Sequence, residues 1–130
     1  MTAIQPDNLG VVEGRLRPCP ASPNCVCSFD TDQEHGIPPL TFSDSPKVAM
    51  ERLRQTVKAM PRTRLVVDAA GYLHVEFRSL ILRFVDDVEF LVDAESRMIH
   101  VRSASRLGYS DLGVNRRRIE AIRKAFAAGS

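Results

Sequence analysis

The chain has 130 residues, of which 44% are hydrophobic and 26% are charged, and this is the size and composition of one globular domain that needs no metal or disulfide to hold its core. Its formal net charge of +2 does not indicate a nucleic-acid-binding protein, and no apolar run reaches the ~18 to 20 residues of a membrane-spanning helix. The N-terminal stretch lacks the basic start and long apolar run of a secretory signal, so the residues alone favour a cytoplasmic location.

Charge is unevenly distributed along the chain. Residues 1–45 carry six carboxylates against two arginines, whereas the chain from His100 onward carries seven basic residues against two acidic ones. The basic end would attract anions.

The first 45 residues show no helical or strand periodicity and contain most of the prolines, including those of PCPASPNC and GIPPLTF. Several apolar side chains in this segment argue for packing against the rest of the protein. We therefore expect an ordered, irregular segment that wraps around the body and buries Val26, Phe29, Ile37, Leu40 and Phe42.

The remainder of the chain alternates clear helix and strand signals. Ser45 can cap a helix that starts at Pro46 and stops at Met60, before Pro61. Four strand-like runs follow, and a second helix is expected from about 113 to 127. The strands are predicted at 63–68, 72–79, 85–93 and 97–104. The predicted fold is α+β and two-layered: a four-stranded antiparallel sheet with two helices on one face, and an irregular N-terminal segment, in a single domain 1–130.

The hairpins can be assigned a register. If Leu65 and Val67 share the core face with Leu73, the first hairpin needs a three-residue loop, 69–71, in which Gly71 takes the left-handed conformation. A two-residue turn at Ala70 and Gly71 would instead set Asp68 opposite Leu73. A turn at Glu95 and Ser96 in the last hairpin pairs Val92 with Ile99, Phe90 with Val101 and Glu89 with Arg102.

The other face of this sheet is polar by alternation. It carries His74, Glu76, Arg78, Asp87, Glu89, His100 and Arg102. A solvated face laced with exposed ion pairs is the favoured interpretation. The alternative is a hydrolytic or acid/base enzyme that uses Asp86, Asp87, Glu89 and His100 in a cleft.

The three cysteines, Cys19, Cys25 and Cys27, do not have the spacing of a zinc site, even with His35 added. No metal and no cofactor are therefore expected. A disulfide between Cys19 and Cys25 is the expectation in an oxidising compartment, and reduced thiols are the expectation in cytosol. The acidic run FDTDQEH lacks the glycine and the final glutamate of a calcium loop, so a solvated loop is expected.

The stretch RSASRLGYSDLGVNRRR leads from the last strand into the last helix and is rich in hydroxyls and arginines. It predicts a binding site for a small anionic or polar ligand, because free N–H groups at a helix start favour anions. The candidate ligand-binding residues are Arg102, Ser103, Ser105, Arg106, Tyr109, Asp111 and Asn115. The alternative is a purely structural junction, in which Ser110 or Asp111 caps the helix and Gly108 and Gly113 permit a tight backbone.

A binding or accessory module is thus the leading functional hypothesis, with the acid/base enzyme and an envelope-associated structural component as alternatives. Whether the chain is an enzyme stays open. The basic run RRRIEAIRK is more typical of a solvated helix face than of a nucleic-acid contact.

Three motifs taken together carry a family resemblance: CPASPNCV, FVDDVEF and VRSASRLGYSDLGVNRRRIE. With them, the chain resembles a bacterial and plastid family catalogued as domain of unknown function 1499, from Arg17 to about Phe126. The resemblance implies no activity. It implies an envelope or organelle-lumen location as the alternative to cytoplasm, because many relatives look like proteins of those compartments.

Overall fold

The computed structural model describes residues 4–81, 83–107 and 113–129, and its long elements follow the predicted pattern closely. One helix and four long strands are succeeded by a second helix, while four short strands lie in the N-terminal third. The elements are β1 Val11–Val12, β2 Arg15–Leu16, β3 Cys25–Cys27, β4 Leu40–Thr41, α1 Pro46–Lys58, β5 Thr63–Asp68, β6 Tyr72–Arg78, β7 Val85–Asp93, β8 Met98–Ser105 and α2 Val114–Ala128.

Helix α1 begins where the sequence indicated. The Ser45 side chain accepts a hydrogen bond from the Val48 N–H at 3.2 Å, and Pro46 occupies the first turn, where its missing N–H costs nothing. Met50, Leu53 and Val57 recur at helical spacing and are buried. The cap therefore fixes the start of the helix, and the apolar stripe fixes the face that it turns to the sheet.

The main sheet is antiparallel and has six strands, in the order β3-β8-β7-β6-β5, with β4 also pairing with β8. The α+β class with two helices is confirmed, but the prediction of four strands is wrong. Strands β3 and β4 have three and two residues, which is too short for any periodicity to appear in the sequence. Strands β1 and β2 form a separate two-stranded sheet.

The register of the last hairpin is confirmed: β7 and β8 pair Phe90 with Val101 and Glu89 with Arg102. This register determines which side chains share each face of the sheet. It therefore sets Phe90 and Val101 toward the core and sets Glu89 beside Arg102 on the opposite face.

The register of the first hairpin differs from the prediction. The irregularity between Leu65 and Val67 places Val67 opposite His74, and Val67 is 39% exposed instead of sharing the core face with Leu65. The prediction of a three-residue loop is wrong: Asp68 pairs with Leu73 and the Ala69 N–H donates to the Tyr72 carbonyl at 3.0 Å, so the turn consists of Ala70 and Gly71, and Gly71 is not left-handed. A bulge adds one residue to a strand and so reverses the alternation after it, which periodicity alone does not show.

The apolar core lies between the two helices and one face of the sheet. Ile119, Ile122 and Phe126 of α2 and the stripe of α1 contact alternate residues of the central strands. Four of the five apolar residues expected to anchor the N-terminal segment are buried in this core, namely Val26, Ile37, Leu40 and Phe42, whereas Phe29 lies on the other face against His100. No helix within the described ranges is long and apolar enough to cross a membrane.

The opposite face of the sheet is buried as well, and the expectation of a solvated polar face is wrong. Strand β2 lies against β7 and β8, and the backbone N–H of Gly10 donates to Glu89 at 2.7 Å. The N-terminal segment therefore covers charged side chains that would otherwise face water. Their exposed fractions are 2% for His74, 4% for Glu76, 1% for Asp87, 0% for Glu89 and 0% for Arg102.

Candidate functional site

Arg102, near the middle of β8, is the largest of the fully buried side chains in the described structure. Its Nη1 lies 3.6 Å from Oε1 of Glu89, its cross-strand neighbour on β7. The other carboxylate oxygen of Glu89 accepts hydrogen bonds from the Gly10 N–H and from the Tyr72 hydroxyl. Glu89 is therefore held by other groups and neutralises the charge of Arg102 without accepting a hydrogen bond from it.

A cavity of about 250 Å³ opens beside this pair, between the N-terminal segment and the end of β8. Arg102 lines it, and none of the three guanidinium nitrogens has a hydrogen-bond partner among the residues that the structure describes. Such a group can donate several hydrogen bonds to a guest with acceptor oxygens. The lining residues are Pro6, Asn8, Leu9, Pro20, Ser22, Asn24, Asp87, Arg102, Ala104, Ser105 and Arg106.

Arg106 lies in the same wall, but its guanidinium is used inside the protein. Nε donates to Asp87 at 2.8 Å, and Nη2 donates to Glu76 at 2.7 Å. His74 is the second partner of Asp87, at 2.7 Å. Burial alone would raise the pKa of Asp87, but the bonds from Arg106 and His74 outweigh it and hold that pKa below its ordinary value. Arg106, directly after β8, therefore connects that strand to β6 and β7 through buried ion pairs with Glu76 and Asp87.

Ser103 and Asn115 face the helix layer, away from Arg102. The Ser103 hydroxyl donates to Asn115 Oδ1 at 2.6 Å, and Asn115 Nδ2 donates to Ser105 Oγ at 2.8 Å and to the Asn24 carbonyl at 3.2 Å. Arg118 donates to the same Asn115 oxygen. This network joins α2 to β8 and to the turn before β3, so Ser103 and Asn115 hold the backbone together.

The structure thus divides the predicted ligand-binding set. Arg102, Ser105 and Arg106 line the cavity, whereas Ser103 and Asn115 belong to the buried network. Tyr109 and Asp111 lie outside the described residues. Within 113–129, no residue of α2 lines the cavity, so the site described here lies on the polar face of the sheet and not at the start of the helix.

The four candidate acid/base residues are not brought together in one cleft. Asp86 faces the helix layer, where Arg118 lies 2.7 Å from it. Asp87 and Glu89 have the partners described above. His100 lies apart, stacked on Phe29 at 3.9 Å, and burial lowers its pKa. The four carboxyl and imidazole groups therefore have four different environments.

The turn between Cys19 and Cys25 forms the outer wall of the cavity, and the two cysteines are joined by a disulfide. His35 supports this turn, since its Nε2 lies 2.9 Å from the Ser22 carbonyl while its Nδ1 lies 2.6 Å from Asp32. These contacts fix the position of two lining residues, Ser22 and Asn24.

Cys27 is free and buried, and burial raises the pKa of its thiol. In the described part of the chain, no group of three or more His, Cys, Asp or Glu side chains is arranged to hold a metal ion.

Sequence reasoning did not identify Tyr72 or the segment 8–10 as part of the site. Tyr72 could have been found, because alternation on β6 places it on the same face as His74 and Glu76. The segment 8–10 carries no such signal, since irregular backbone has no period to read.

The model of the family described as "Protein of unknown function (DUF1499)" matches residues 15–126. No curated protein and no solved structure matches the chain.

Proposed function

The chain belongs to the DUF1499 family of proteins of unknown function, and for this member we propose a role as a binding module for a small ligand that carries a carboxylate or phosphate group. The ligand is received by Arg102 in the cavity between the N-terminal segment and β8. The observation that carries the proposal is the Arg102 guanidinium, which is buried, lines a cavity and has no hydrogen-bond partner among the described residues.

A purely structural ion pair explains this arrangement less well. Each buried polar group that lacks a hydrogen bond costs about 1–3 kcal/mol, and a charged group costs more. Glu89 at 3.6 Å supplies electrostatic attraction but no hydrogen bond. A structural arginine is normally enclosed by acceptors, as Arg106 is by Asp87 and Glu76. The N–H groups of Arg102 can therefore donate to a ligand, whereas Arg106 donates to Asp87 and Glu76.

The chemistry of Arg102 indicates the class of ligand. A guanidinium presents parallel N–H groups that match the two oxygens of a carboxylate or two oxygens of a phosphate. Ser22 and Asn24 in the cavity wall add short polar side chains. A cavity of about 250 Å³ suits a compound smaller than those that fill pockets of about 300–1,000 Å³.

Thermal unfolding at constant ionic strength tests the proposal, with inorganic phosphate or acetate replacing chloride. We expect a saturable rise in Tm, which by mass action reaches about 2.7 kcal/mol of stabilisation at a hundredfold excess over Kd. Arg102→Lys keeps the positive charge but loses the planar fork, and it should bind at least about tenfold more weakly.

The matched control is Arg64→Lys, an arginine whose side chain is 64% exposed. It should retain the full response to both anions. If neither anion stabilises the protein in a saturable manner, or if Arg102→Lys responds as strongly as the unmodified protein does, the proposal fails.

A further inference from the structure

The buried pair of Arg102 and Glu89 offers hydrogen-bond donors and a hydrogen-bond acceptor beside the same cavity. Among the described residues, neither the three guanidinium nitrogens of Arg102 nor Oε1 of Glu89 has a hydrogen-bond partner. The two side chains are 1% and 0% exposed, and Oε1 lies 3.6 Å from Nη1 of Arg102. Several N–H donors and one negatively charged acceptor are therefore close together, and both wait for a complementary group.

The position of Oε1 is determined by bonds to the other oxygen of Glu89. Oε2 accepts from the Gly10 N–H at 2.7 Å and from the Tyr72 hydroxyl. These two bonds hold the carboxylate in place, with Oε1 on the side of Arg102. A ligand that reaches the Nη1 end of the guanidinium from the cavity therefore also comes close to Oε1.

The charges around the cavity favour a ligand without net charge. The charged side chains that line the cavity are Asp87, Arg102 and Arg106. Arg106 is paired with Asp87 and Glu76, and Arg102 lies beside Glu89. An anion bound to Arg102 would thus be buried near carboxylates, which costs free energy, whereas a ligand that also carries a positive charge would have that charge balanced.

We propose that the ligand is a small zwitterion of the α-amino acid class. This inference rests on the proposed function, because it assigns the acidic group of that ligand to Arg102. The ligand carboxylate accepts hydrogen bonds from the Arg102 guanidinium. The ammonium group, on the carbon next to the carboxylate, donates to Oε1 of Glu89. Both halves of the buried pair then have partners, and the complex gains no net charge.

The rest of the cavity indicates a small, mainly apolar side chain on this amino acid. Its apolar lining is Pro6, Leu9, Pro20 and Ala104. Its volume of about 250 Å³ is below the range of about 300–1,000 Å³ that is usual for pockets of drug-sized ligands. Alanine is therefore a suitable probe.

An α-hydroxy acid fits the same pair less well. Its hydroxyl group can donate to Oε1 of Glu89, but the bound molecule keeps a full negative charge beside that carboxylate. The ammonium removes this charge and donates a stronger, charge-assisted hydrogen bond.

Calorimetric titration of the unmodified protein with alanine, lactate and propionate tests this inference. The three compounds share one carbon skeleton and differ only in the ammonium, hydroxyl or hydrogen next to the carboxylate. We expect alanine to bind at least about tenfold more tightly than propionate. Saturable binding of propionate without any gain for alanine overturns the zwitterion and leaves the proposed function intact, as does lactate binding as tightly as alanine. Absence of saturable binding by all three compounds contradicts both proposals.

Glu89→Gln gives a second test, in which the two ligands respond in opposite directions. Alanine should bind at least about tenfold more weakly to this variant, because its ammonium loses a charged partner, whereas propionate should bind more tightly. The matched control is Glu51→Gln. The side chain of Glu51 is 58% exposed on α1, in the layer on the other face of the sheet, and its replacement should leave both affinities unchanged. A shift of both ligands in the same direction in Glu89→Gln overturns the inference, and the ligand series on the unmodified protein does not depend on the folding of this variant.

Discussion

At the scale of single residues, Arg102 in β8 and Arg106 directly after the end of β8 have opposite surroundings. Arg106 meets Asp87 and Glu76 with good hydrogen-bond geometry, whereas among the described residues the carboxylate nearest to Arg102 is that of Glu89, with an oxygen 3.6 Å away and no hydrogen bond. Both side chains are buried, so hydrogen bonding and not exposure separates the structural arginine from the one for which we propose ligand binding.

Replacing Glu89 by glutamine separates these roles further. The amide keeps the shape of the side chain and removes the negative charge near the cavity, which at an effective dielectric constant of about 20 should raise anion affinity at least about tenfold. The unliganded variant should be less stable than the unmodified protein, by up to about 3–5 kcal/mol, because Arg102 loses its compensating charge.

Calorimetric titration with phosphate and urea unfolding measure these two effects of Glu89→Gln. Unchanged or weaker phosphate binding would contradict the assignment of Arg102 as the anion-binding group.

Arg106 should matter for stability more than any exposed arginine that shares its partner. Arg106→Met leaves Asp87 and part of Glu76 buried without their cation, and we expect a loss of about 3–5 kcal/mol in the free energy of unfolding. Arg64→Met removes an exposed contact to the same Glu76 and should cost less than about 1 kcal/mol. Urea unfolding of the two variants measures the difference, and similar losses for both would refute a buried network at this position.

At the scale of elements, the cavity depends on two segments without regular secondary structure, residues 6–9 and 20–24. The disulfide between Cys19 and Cys25 closes one turn, and His35 ties that turn to the acidic loop through Ser22 and Asp32. Both ring nitrogens of His35 face acceptors, so the protonated ring satisfies both and the neutral ring can donate to only one.

This arrangement makes stability depend on pH. The bond to the Ser22 carbonyl raises the pKa of His35, burial acts against it, and the bond to Asp32 adds to the rise. Since the folded pKa exceeds the ordinary value of 6.5, the contribution of His35 is complete below that value and is lost as pH rises through the raised pKa.

Urea unfolding of the unmodified protein and of His35→Gln across this range measures the effect. The unmodified protein should exceed the variant in stability by more at pH 6 than at pH 8. The nearby carboxylates, Asp32 and Glu34, are common to both proteins. A stability difference that does not change with pH would show that the ring is not protonated in the folded state.

At the scale of the whole molecule, the long helices and strands could be predicted, and so could the burial of most apolar residues of the N-terminal segment, but the path of that segment could not. The cap at Ser45 and the alternation along β7 and β8 are local signals, so α1 and the pairing of Glu89 with Arg102 were correctly expected. Short strands such as β3 carry no periodicity, and a bulge after Leu65 cannot be seen in a pattern of alternate residues.

The same limit applies to the site. Alternation along β8 placed Arg102 on the polar face of the sheet. Whether that face is exposed to water depends on the position of residues 4–16. The sequence of this segment has no hydrophobic period from which its position could be predicted. The sequence therefore indicated the correct face for Arg102 and the wrong surroundings. A charged sheet face is buried only if another segment covers it. The contact between the N-terminal segment and this face is long-range and depends on tertiary packing.

The most direct test of the account observes Arg102 itself within the intact protein. The chain has 15 arginines, and NMR of the Nε–H groups distinguishes a buried one from exposed ones during a titration with phosphate at constant ionic strength. If Arg102 binds the anion, its resonance will show a saturable shift that is lost in Arg102→Lys. A resonance of Arg102 that stays fixed while exposed arginines drift in proportion to phosphate would contradict it.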